Sequence, residues 1–505
     1  MRHPALFSAR GTCFWHLGLY DTALRDFEAA LELAPRNPVL WNAVAECLMK
    51  LGEWKSAGAA YDSALAGAPR LVQTHYRRGV ALQMNGQRQA AQAAHRRALE
   101  LKPDHAGALA SLALIAASEG NPEKVAQFAG LALALDGSQP TAQIALAASE
   151  FRRGDLDGAG ERTRTVLQQA RFGEDPRANE VLRELADGFD LVGRPTFAFT
   201  LYSAVNRKRR EIHGRRFAHT RSSREVCGLL SWFERSRHWE RSVGSPRTEA
   251  ETSGHVFVLG FARSGTTLIE AILARHPQVV ALDERDCFSD QAKALLSSAA
   301  GIERLSVLGP DEIGPLRDSY WEKVRSCCGP TAGRVFVDKW PFNSRRLALI
   351  ARLFPDAGVL FAVRDPRDVV LSCFRRSFVM NSDTFEFLTL DDCARYYSQV
   401  MELAKHSRDK LPLQLRAVRY EDLVGDFDAT VRAICDFVGI GWNDGMRDFG
   451  GAADGTLEPR AQSRRQIRMG LYTGAAGRWR RYAEQLAPVL PILHPWIEHF
   501  GYAPD

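Results

Sequence analysis

The residues best suited to chemistry stand in one short loop, GFARSGTTL at residues 260–268. A β-branched run precedes the loop and a helical stretch follows it, an order that places backbone N–H groups and the positive end of a helix dipole around an anion. The phosphate loop of nucleotide triphosphatases needs a lysine after its second glycine, where this chain has Thr266. The loop therefore predicts a cradle for a nucleotide with a single 5′-phosphate-linked group. The predicted contacts are Arg263, Ser264, Gly265, Thr266 and Thr267.

The elements that must position this loop alternate between strands and helices. Short β-branched runs predict strands at residues 255–259, 279–282, 334–337, 358–363 and 413–420. Helical stretches such as 267–275 and 345–353 lie between them. Strands that are buried on both faces and joined by helices form a parallel sheet, and ligands bind outside the carboxyl ends of its strands. Residues 254–505 are thus predicted to be an α/β, P-loop-like parallel-sheet domain.

The first half of the chain repeats itself every 34 residues. The repeat is visible in Gly18, Gly52, Gly86, Gly120 and Gly154, in Ala30, Ala64, Ala98 and Ala132, and in Pro35, Pro69 and Pro103. A helical hairpin with a glycine turn, close-packed alanines and a closing proline explains these residue types. The pattern resembles tetratricopeptide repeats. We expect an all-α solenoid over residues 1–210, with about six repeats of which the last, at Gly193, is degenerate.

The function of such a solenoid is left open by its sequence. A concave surface suits an extended peptide, a partner protein or a second copy of the chain. The alternative is an arm that serves only for dimerisation or as a spacer. Residues 211–253 are predicted to be a basic helical linker. Its arginines, with those at 207–210, are interpreted as a solvated helix face and not as a nucleic-acid site.

Composition limits the remaining function classes. The chain has 505 residues, a formal net charge of +6 and nine cysteines without a CxxC pair. No apolar run approaches the ~18 residues of a membrane span, and no secretory signal is recognised. We therefore expect a cytoplasmic protein with no membrane span and no nucleic-acid partner. No metal-ligand cluster is visible, and no metal is expected.

The Arg-Ser-Gly-Thr-Thr-Leu loop resembles the loop with which sulfotransferases bind 3′-phosphoadenosine 5′-phosphosulfate, the sulfuryl donor. The resemblance is to the tyrosylprotein sulfotransferase branch and to its bacterial relatives with N-terminal tetratricopeptide repeats. It covers nearly the whole chain, in the same order of domains. It implies transfer of a sulfuryl group from this donor to an acceptor hydroxyl.

The resemblance also implies roles for residues beyond the loop. The family has a catalytic Glu eight residues past a His-Pro pair, and Glu284 stands eight residues past His276. A carboxylate there can act as general base on the acceptor, with Asp283 as the rival base. Lys339, in the sequence Asp-Lys-Trp-Pro, would hold the oxygen that bridges phosphate and sulfate. Arg364 and Ser372, eight residues apart, would hold the 3′-phosphate.

Three further positions follow from the same resemblance. Tyr420 would contact the phosphate or the adenine, or would be a packing aromatic. Ser463 stands three residues before Gln466 and would contact the donor near the scissile bond. Arg478, within Gly-Arg-Trp, would lie near the 3′-phosphate. The implied catalytic set is Glu284, Lys339, Arg263 and Ser463.

Two other functions are compatible with this sequence. A nucleotide kinase or NTPase could use the same sheet, although Thr266 and the Arg364–Ser372 pair count against it. A repeat scaffold with a degenerate transferase domain is the second alternative. The acceptor itself stays open between a protein or peptide tyrosine, a small molecule, a lipid and a glycan.

Overall fold

The computed structural model describes residues 3–169, 172–173, 175–218, 221–235, 252–449 and 476–504. They form two compact units, and the chain enters the first of them twice. The first unit comprises Met1–Thr220 and Arg375–Thr389, and the second comprises Arg221–Phe374 and Leu390–Asp505. The boundaries at residues 210 and 253 remain predictions, and residues 236–251 of the expected linker lie outside the described part.

The first unit is a series of helical hairpins with the predicted period. Its helices are α1 (Pro4–His16), α2 (Tyr20–Leu33), α3 (Pro38–Leu51), α4 (Trp54–Gly67), α5 (Val72–Met84), α6 (Arg88–Leu101), α7 (Ala106–Glu119), α8 (Pro122–Leu135), α9 (Pro140–Arg152), α10 (Leu156–Leu167), α11 (Pro176–Leu191) and α12 (Pro195–Phe217). The predicted turn glycines, from Gly18 to Gly193, have φ between 71° and 85°, which only glycine adopts without strain. The periodic alanines are fully buried where hairpins pack together.

Helix α12 differs from the prediction of a solvated basic helix. It runs without a break to Phe217, and Arg209, His213 and Arg216 fall on one face together with Phe217. Arg216 forms an ion pair with Asp21 of the first repeat at 2.9 Å. Because this face packs against the rest of the unit, only part of the basic run remains exposed.

The second unit contains the five predicted strands. They are β1 (Gly254–Gly260), β2 (Val279–Asp283), β3 (Val335–Lys339), β4 (Gly358–Val363) and β5 (Gln414–Arg419). All neighbours are parallel, in the order β2-β3-β1-β4-β5. The run predicted at 413–420 ends one residue early, because Tyr420 begins a helix.

Helices cover this sheet. They are α13 (Ser222–Arg235), α14 (Thr266–Leu273), α15 (Ser289–Leu295), α16 (Ala299–Val307), α17 (Pro310–Cys328), α18 (Leu347–Leu353), α19 (Pro366–Arg375), α20 (Leu390–Lys410), α21 (Tyr420–Gly425), α22 (Phe427–Val438), α23 (Ala483–Leu486) and α24 (Leu490–His499). The helix predicted at 345–353 begins as the 3₁₀ helix Pro341–Arg346. Side chains of β1, β3, β4, α14 and α22 share one apolar core. Within the described residues, no helix combines the length and apolarity that crossing a bilayer requires.

Candidate active site

Every strand of the sheet delivers a predicted site residue at its carboxyl end or just beyond it. Since all the strands are parallel, these ends lie along one edge, where ligands of such sheets bind. The residues, in the order of strands β1 to β5, are Arg263, Glu284, Lys339, Arg364 and Tyr420. The sheet thus brings together side chains that are up to 157 residues apart in the sequence.

The loop after β1 has the strand–loop–helix geometry that was predicted. Ser344 fixes its start: the Ser344 hydroxyl donates to the carbonyl of Gly260 at 2.8 Å and accepts from the N–H of Gly260 at 2.9 Å. Gly265, with φ 105°, is the N-cap of α14, so the first N–H groups of that helix follow directly. A Cβ at Gly265 would lie 2.8 Å from Cδ2 of Tyr420, which explains the glycine at this position.

Backbone strain marks two of the predicted site residues. Among the described residues, the non-glycine positions with positive φ are Arg263 (73°) and Glu284 (46°). Each such conformation costs about 1–3 kcal/mol and persists where the surrounding structure enforces it, often at functional sites. Both residues follow strands that end at the same edge of the sheet.

Lys339 is the centre of a buried charge cluster. Its side chain is 0% exposed, its Nζ lies 3.0 Å from Oε1 of Glu284, and it forms a second ion pair with Asp283. Burial opposes the charged form, but the carboxylates of Glu284, Asp283 and Glu270 outweigh it and raise the pKa of Lys339. The lysine is therefore a permanently charged group at neutral pH.

The two candidate bases differ in accessibility. The side chain of Glu284 is 29% exposed and that of Asp283 is 15% exposed, and both contact Lys339. Asp283 pairs with Lys339 in the sheet register, whereas the N–H of Glu284 donates to the carbonyl of Lys339 at 3.0 Å. Glu284 thus turns out of the strand with the more accessible carboxylate, and the assignment of the base remains a prediction.

A second cluster links Ser372 to Arg263 and Arg263 to Arg364. The Nε of Arg263 donates to the Oγ of Ser372 at 3.1 Å, and Nη1 of Arg364 donates to the carbonyl of Arg263 at 3.4 Å. The guanidinium of Arg364 lies 4.7 Å from the ring centroid of Tyr420. Two arginines and a serine hydroxyl form the donor set that a phosphate monoester requires.

The segment around Arg478 is held by a residue that sequence reasoning missed. Asp368 accepts hydrogen bonds from the N–H groups of Gly477 at 2.6 Å and of Trp479 at 2.9 Å. These bonds fix Arg478 at the start of the 3₁₀ helix Arg478–Tyr482. Burial, the largest influence, raises the pKa of Asp368. The sequence feature that could have identified Asp368 is an acidic residue in the first turn of α19, four positions after Arg364.

Glu270 and four of the predicted residues complete the account of the site. Glu270, which sequence reasoning also missed, is a buried carboxylate and the one charged residue of helix α14. A lone charge in such a helix could have revealed it. Ser264 is buried in the loop, and Thr266 and Thr267 are buried at the start of α14. Ser463 lies outside the described residues.

Comparison with known proteins agrees with this geometry. Residues 255–444 match the model of the sulfotransferase family, and residues 15–80 match that of a tetratricopeptide repeat. The chain carries a sulfotransferase-family domain behind tetratricopeptide repeats. The family resemblance and the fold class that were inferred from the sequence are thereby confirmed.

The relatives of this chain are distant. An uncharacterized protein of Aquifex aeolicus is 25% identical over 246 residues, which are 47% of this chain and 32% of that protein. Protein-tyrosine sulfotransferase 1 of Danio rerio is 24% identical over 299 residues, which are 57% of this chain and 82% of that protein. The chain therefore spans about a third of the first relative and about four fifths of the second. Among solved structures, the sulfotransferase domain of the Synechococcus PCC 7002 olefin synthase is 21% identical, with a TM-score of 0.32 over 48% of this chain and 91% of that one.

Proposed function

We propose that this protein transfers a sulfuryl group from 3′-phosphoadenosine 5′-phosphosulfate to an acceptor hydroxyl. The observation that carries the proposal is the placement of two clusters at the carboxyl edge of one sheet. One is Lys339 with its carboxylates, and the other is Arg263 with Arg364 and Ser372. The sulfotransferase-family match over residues 255–444 supports the same activity.

The residues present fit both phosphate groups of this donor. The loop and the N-terminus of α14 would bind the 5′-phosphosulfate, with Thr266 and Thr267 as hydroxyl donors. Arg364 and Ser372 would hold the 3′-phosphate, which ATP lacks. The donor then supplies the sulfuryl group itself.

The protein's part in the reaction is to position the reactants, move a proton and stabilise charge. Glu284 accepts the proton of the acceptor hydroxyl, whose oxygen forms a bond to sulfur as the bond between sulfur and the bridging phosphate oxygen breaks. Lys339 and Arg263 stabilise the negative charge that develops on the bridging oxygen and the departing phosphate. Such in-line transfer depends mostly on positioning and electrostatic complementarity.

For the acceptor we propose a tyrosine of a protein or peptide, supported by relatives that are named protein-tyrosine sulfotransferases. We further propose a cytoplasmic location, supported by the low cysteine content without a CxxC pair. Incubation with labelled donor and matched peptides that differ only in Tyr or Phe tests the acceptor. Label on the tyrosine peptide alone is expected. Label found only on a small-molecule, lipid or glycan hydroxyl would overturn the peptide acceptor and leave the transfer reaction standing.

Titration calorimetry tests the donor site directly. Adenosine 3′,5′-bisphosphate, the desulfated donor, should bind at least tenfold more tightly than adenosine 5′-monophosphate, since a charged hydrogen-bond network to the 3′-phosphate is lost in the latter. The variant Arg364→Gln should remove this preference, and the control Arg416→Gln, at an exposed position of β5, should keep it. Equal affinities for the two nucleotides, or tight binding of ATP·Mg²⁺ alone, would rule out the proposed donor.

A further inference from the structure

The 3₁₀ helix Pro341–Arg346 begins two residues after Lys339 and is attached to the phosphate loop. The hydroxyl oxygen of Ser344 lies 2.8 Å from the carbonyl oxygens of Gly260 and Pro341, and it accepts from the N–H of Gly260 at 2.9 Å. Ser344 is buried, so these bonds are shielded from water. The 3₁₀ helix is thus held in place at the carboxyl edge of the sheet.

Arg346, the last residue of this 3₁₀ helix, forms a forked ion pair with Asp286. Its Nη1 donates to Oδ1 of Asp286 and its Nη2 donates to Oδ2, the second at 3.0 Å. Nη1 also donates to Oδ1 of Asn343 at 3.1 Å. The side chain of Arg346 is 5% exposed and that of Asp286 is 32% exposed. A two-point contact of this kind fixes the orientation of the carboxylate as well as its distance.

Asp286 lies two residues after Glu284, in the short segment 284–288 between β2 and α15. Glu284 has a φ of 46°, a conformation that costs about 1–3 kcal/mol and persists where the surrounding structure enforces it. At Glu284 itself, the N–H donates to the carbonyl of Lys339 at 3.0 Å. Two residues later, Arg346 holds Asp286. The strained turn is therefore held on both sides of the Glu284 side chain.

The far end of the segment is held by apolar packing. Cys287 and Phe288 are buried, and the ring of Phe288 lies 4.6 Å from that of Tyr320, centroid to centroid. Apolar burial is not directional, so it fixes the end of the segment without setting the direction of a carboxylate before it. The directional contact between Glu284 and this end is the ion pair of Asp286.

We propose that Arg346, through its ion pair with Asp286, is a positioning residue for the carboxylate of Glu284. The proposal rests on the proposed function, in which Glu284 is the general base. A displacement of about 1 Å at a reacting group can lower a rate by about 10². Loss of the ion pair should therefore slow the proton transfer. Donor binding should be retained, because the bonds that hold Gly260 do not involve Asp286.

Two variants of the full chain remove the ion pair in different ways. Asp286→Ala removes the carboxylate, and Arg346→Lys keeps the positive charge but loses the forked geometry. The control Asp290→Ala removes an ion pair with Lys323 on the surface nearby. The control Arg352→Lys makes the same change at another buried arginine of this unit.

Three measurements separate the turn, the donor site and the base. Transfer of labelled sulfate to the tyrosine peptide at saturating donor gives kcat. Calorimetry gives the affinity for adenosine 3′,5′-bisphosphate. Amide hydrogen exchange of residues 284–287, measured by mass spectrometry, reports on the turn.

In both variants kcat should fall about tenfold or more, while the affinity for the bisphosphate should change by less than about threefold. Exchange of residues 284–287 should rise, and both controls should keep the wild-type values. The decisive comparison uses Glu284→Gln as the background. Adding Asp286→Ala there should lower the residual turnover by less than about threefold, because a base that is absent cannot be misplaced.

Wild-type turnover in both variants would overturn the positioning role. A loss in the Glu284→Gln background as large as in the wild-type background would also overturn it, since the ion pair would then act on another group. If Glu284→Gln alone keeps the wild-type turnover, Glu284 is not the base and the positioning role fails, while bisphosphate binding still decides the donor site. If the wild-type chain neither transfers sulfate nor binds the bisphosphate, the proposed function fails, and exchange of residues 284–287 decides whether Arg346 holds the turn.

Discussion

Glu284 and Asp283 are adjacent carboxylates whose difference arises from the backbone between them. Asp283 ends β2 in regular strand geometry, and Glu284 turns away with φ 46°. The sequence places both residues at the end of a strand. It does not predict the backbone turn that makes one carboxylate more accessible than the other.

The two carboxylates can be separated by amide substitutions. Glu284→Gln and Asp283→Asn each remove one negative charge next to Lys339, so their electrostatic effects on the lysine are similar. Loss of the general base should reduce turnover by about 10²–10⁴. We expect a reduction of this size for Glu284→Gln. For Asp283→Asn we expect turnover to fall by less than about tenfold. Transfer of labelled sulfate at saturating donor measures this. A greater loss in Asp283→Asn would assign the base to Asp283.

Asp338 gives a pH-dependent prediction for the stability of the fold. It is fully buried beside Lys339 in β3 and accepts a hydrogen bond from the hydroxyl of Tyr320 at 2.7 Å. Burial raises the pKa of Asp338 to about 7 from its ordinary value of 3.8. Between these pH values the folded state retains a proton that the unfolded state has lost. Asp338 therefore makes the protein less stable as the pH rises from about 4 to 7.

The substitution Asp338→Asn should abolish the loss of stability that accompanies rising pH, because the amide does not titrate. The free energy of unfolding of the variant, relative to wild type, should rise from pH 5 towards pH 7 by about 1.4 kcal/mol for each step of one in pH, and should level off above pH 7. Urea unfolding at pH 5, 6, 7 and 8 measures it. The buried His255, whose pKa is lowered to about 3 by burial, acts in the opposite direction but is present in both proteins. Parallel pH curves would contradict the assignment.

At the scale of elements, the strands were predictable and the loops only in part. Parallel strands buried on both faces appear as short apolar, β-branched runs, and all five runs became strands. Two of the shifts in element boundary occur where a tertiary contact decides the local structure. Tyr420 begins α21 and lies against Gly265 and Arg364, and Ser344 anchors the 3₁₀ helix Pro341–Arg346 to Gly260.

The strained loop allows a prediction about Arg263. Both Arg263→Gly and Arg263→Ala remove the guanidinium and should weaken binding of the bisphosphate to the same extent. Glycine adopts a φ of 73° without steric cost, so the glycine variant should be about 1 kcal/mol more stable than the alanine variant. At Arg416, an exposed strand residue without positive φ, the order should be reversed. Denaturant unfolding of the four variants measures both differences, and an alanine variant at position 263 that is at least as stable as glycine would refute the argument.

At the scale of the whole molecule, the repeat array was predictable because the same residue types recur at a fixed spacing. Turn glycines and buried alanines recur at 34 residues, and each contact between neighbouring hairpins is local in sequence. No such pattern in the sequence predicts that residues 375–389 belong to the repeat unit. Their anchors pair Arg375 with Asp187 and Ser377 with Glu180, which are 188 and 197 residues apart.

The linear pattern of residues predicts the two kinds of architecture, the phosphate loop and the charged residues that follow the strands, because each of these depends on neighbours in the chain or on a short period. The fold establishes which carboxylates surround Lys339, which hydroxyl contacts Arg263 and which unit holds residues 375–389. These contacts depend on the order of strands in the sheet and on side chains that meet across long separations. A single sequence carries no local pattern for such encounters, so only the folded chain reveals them.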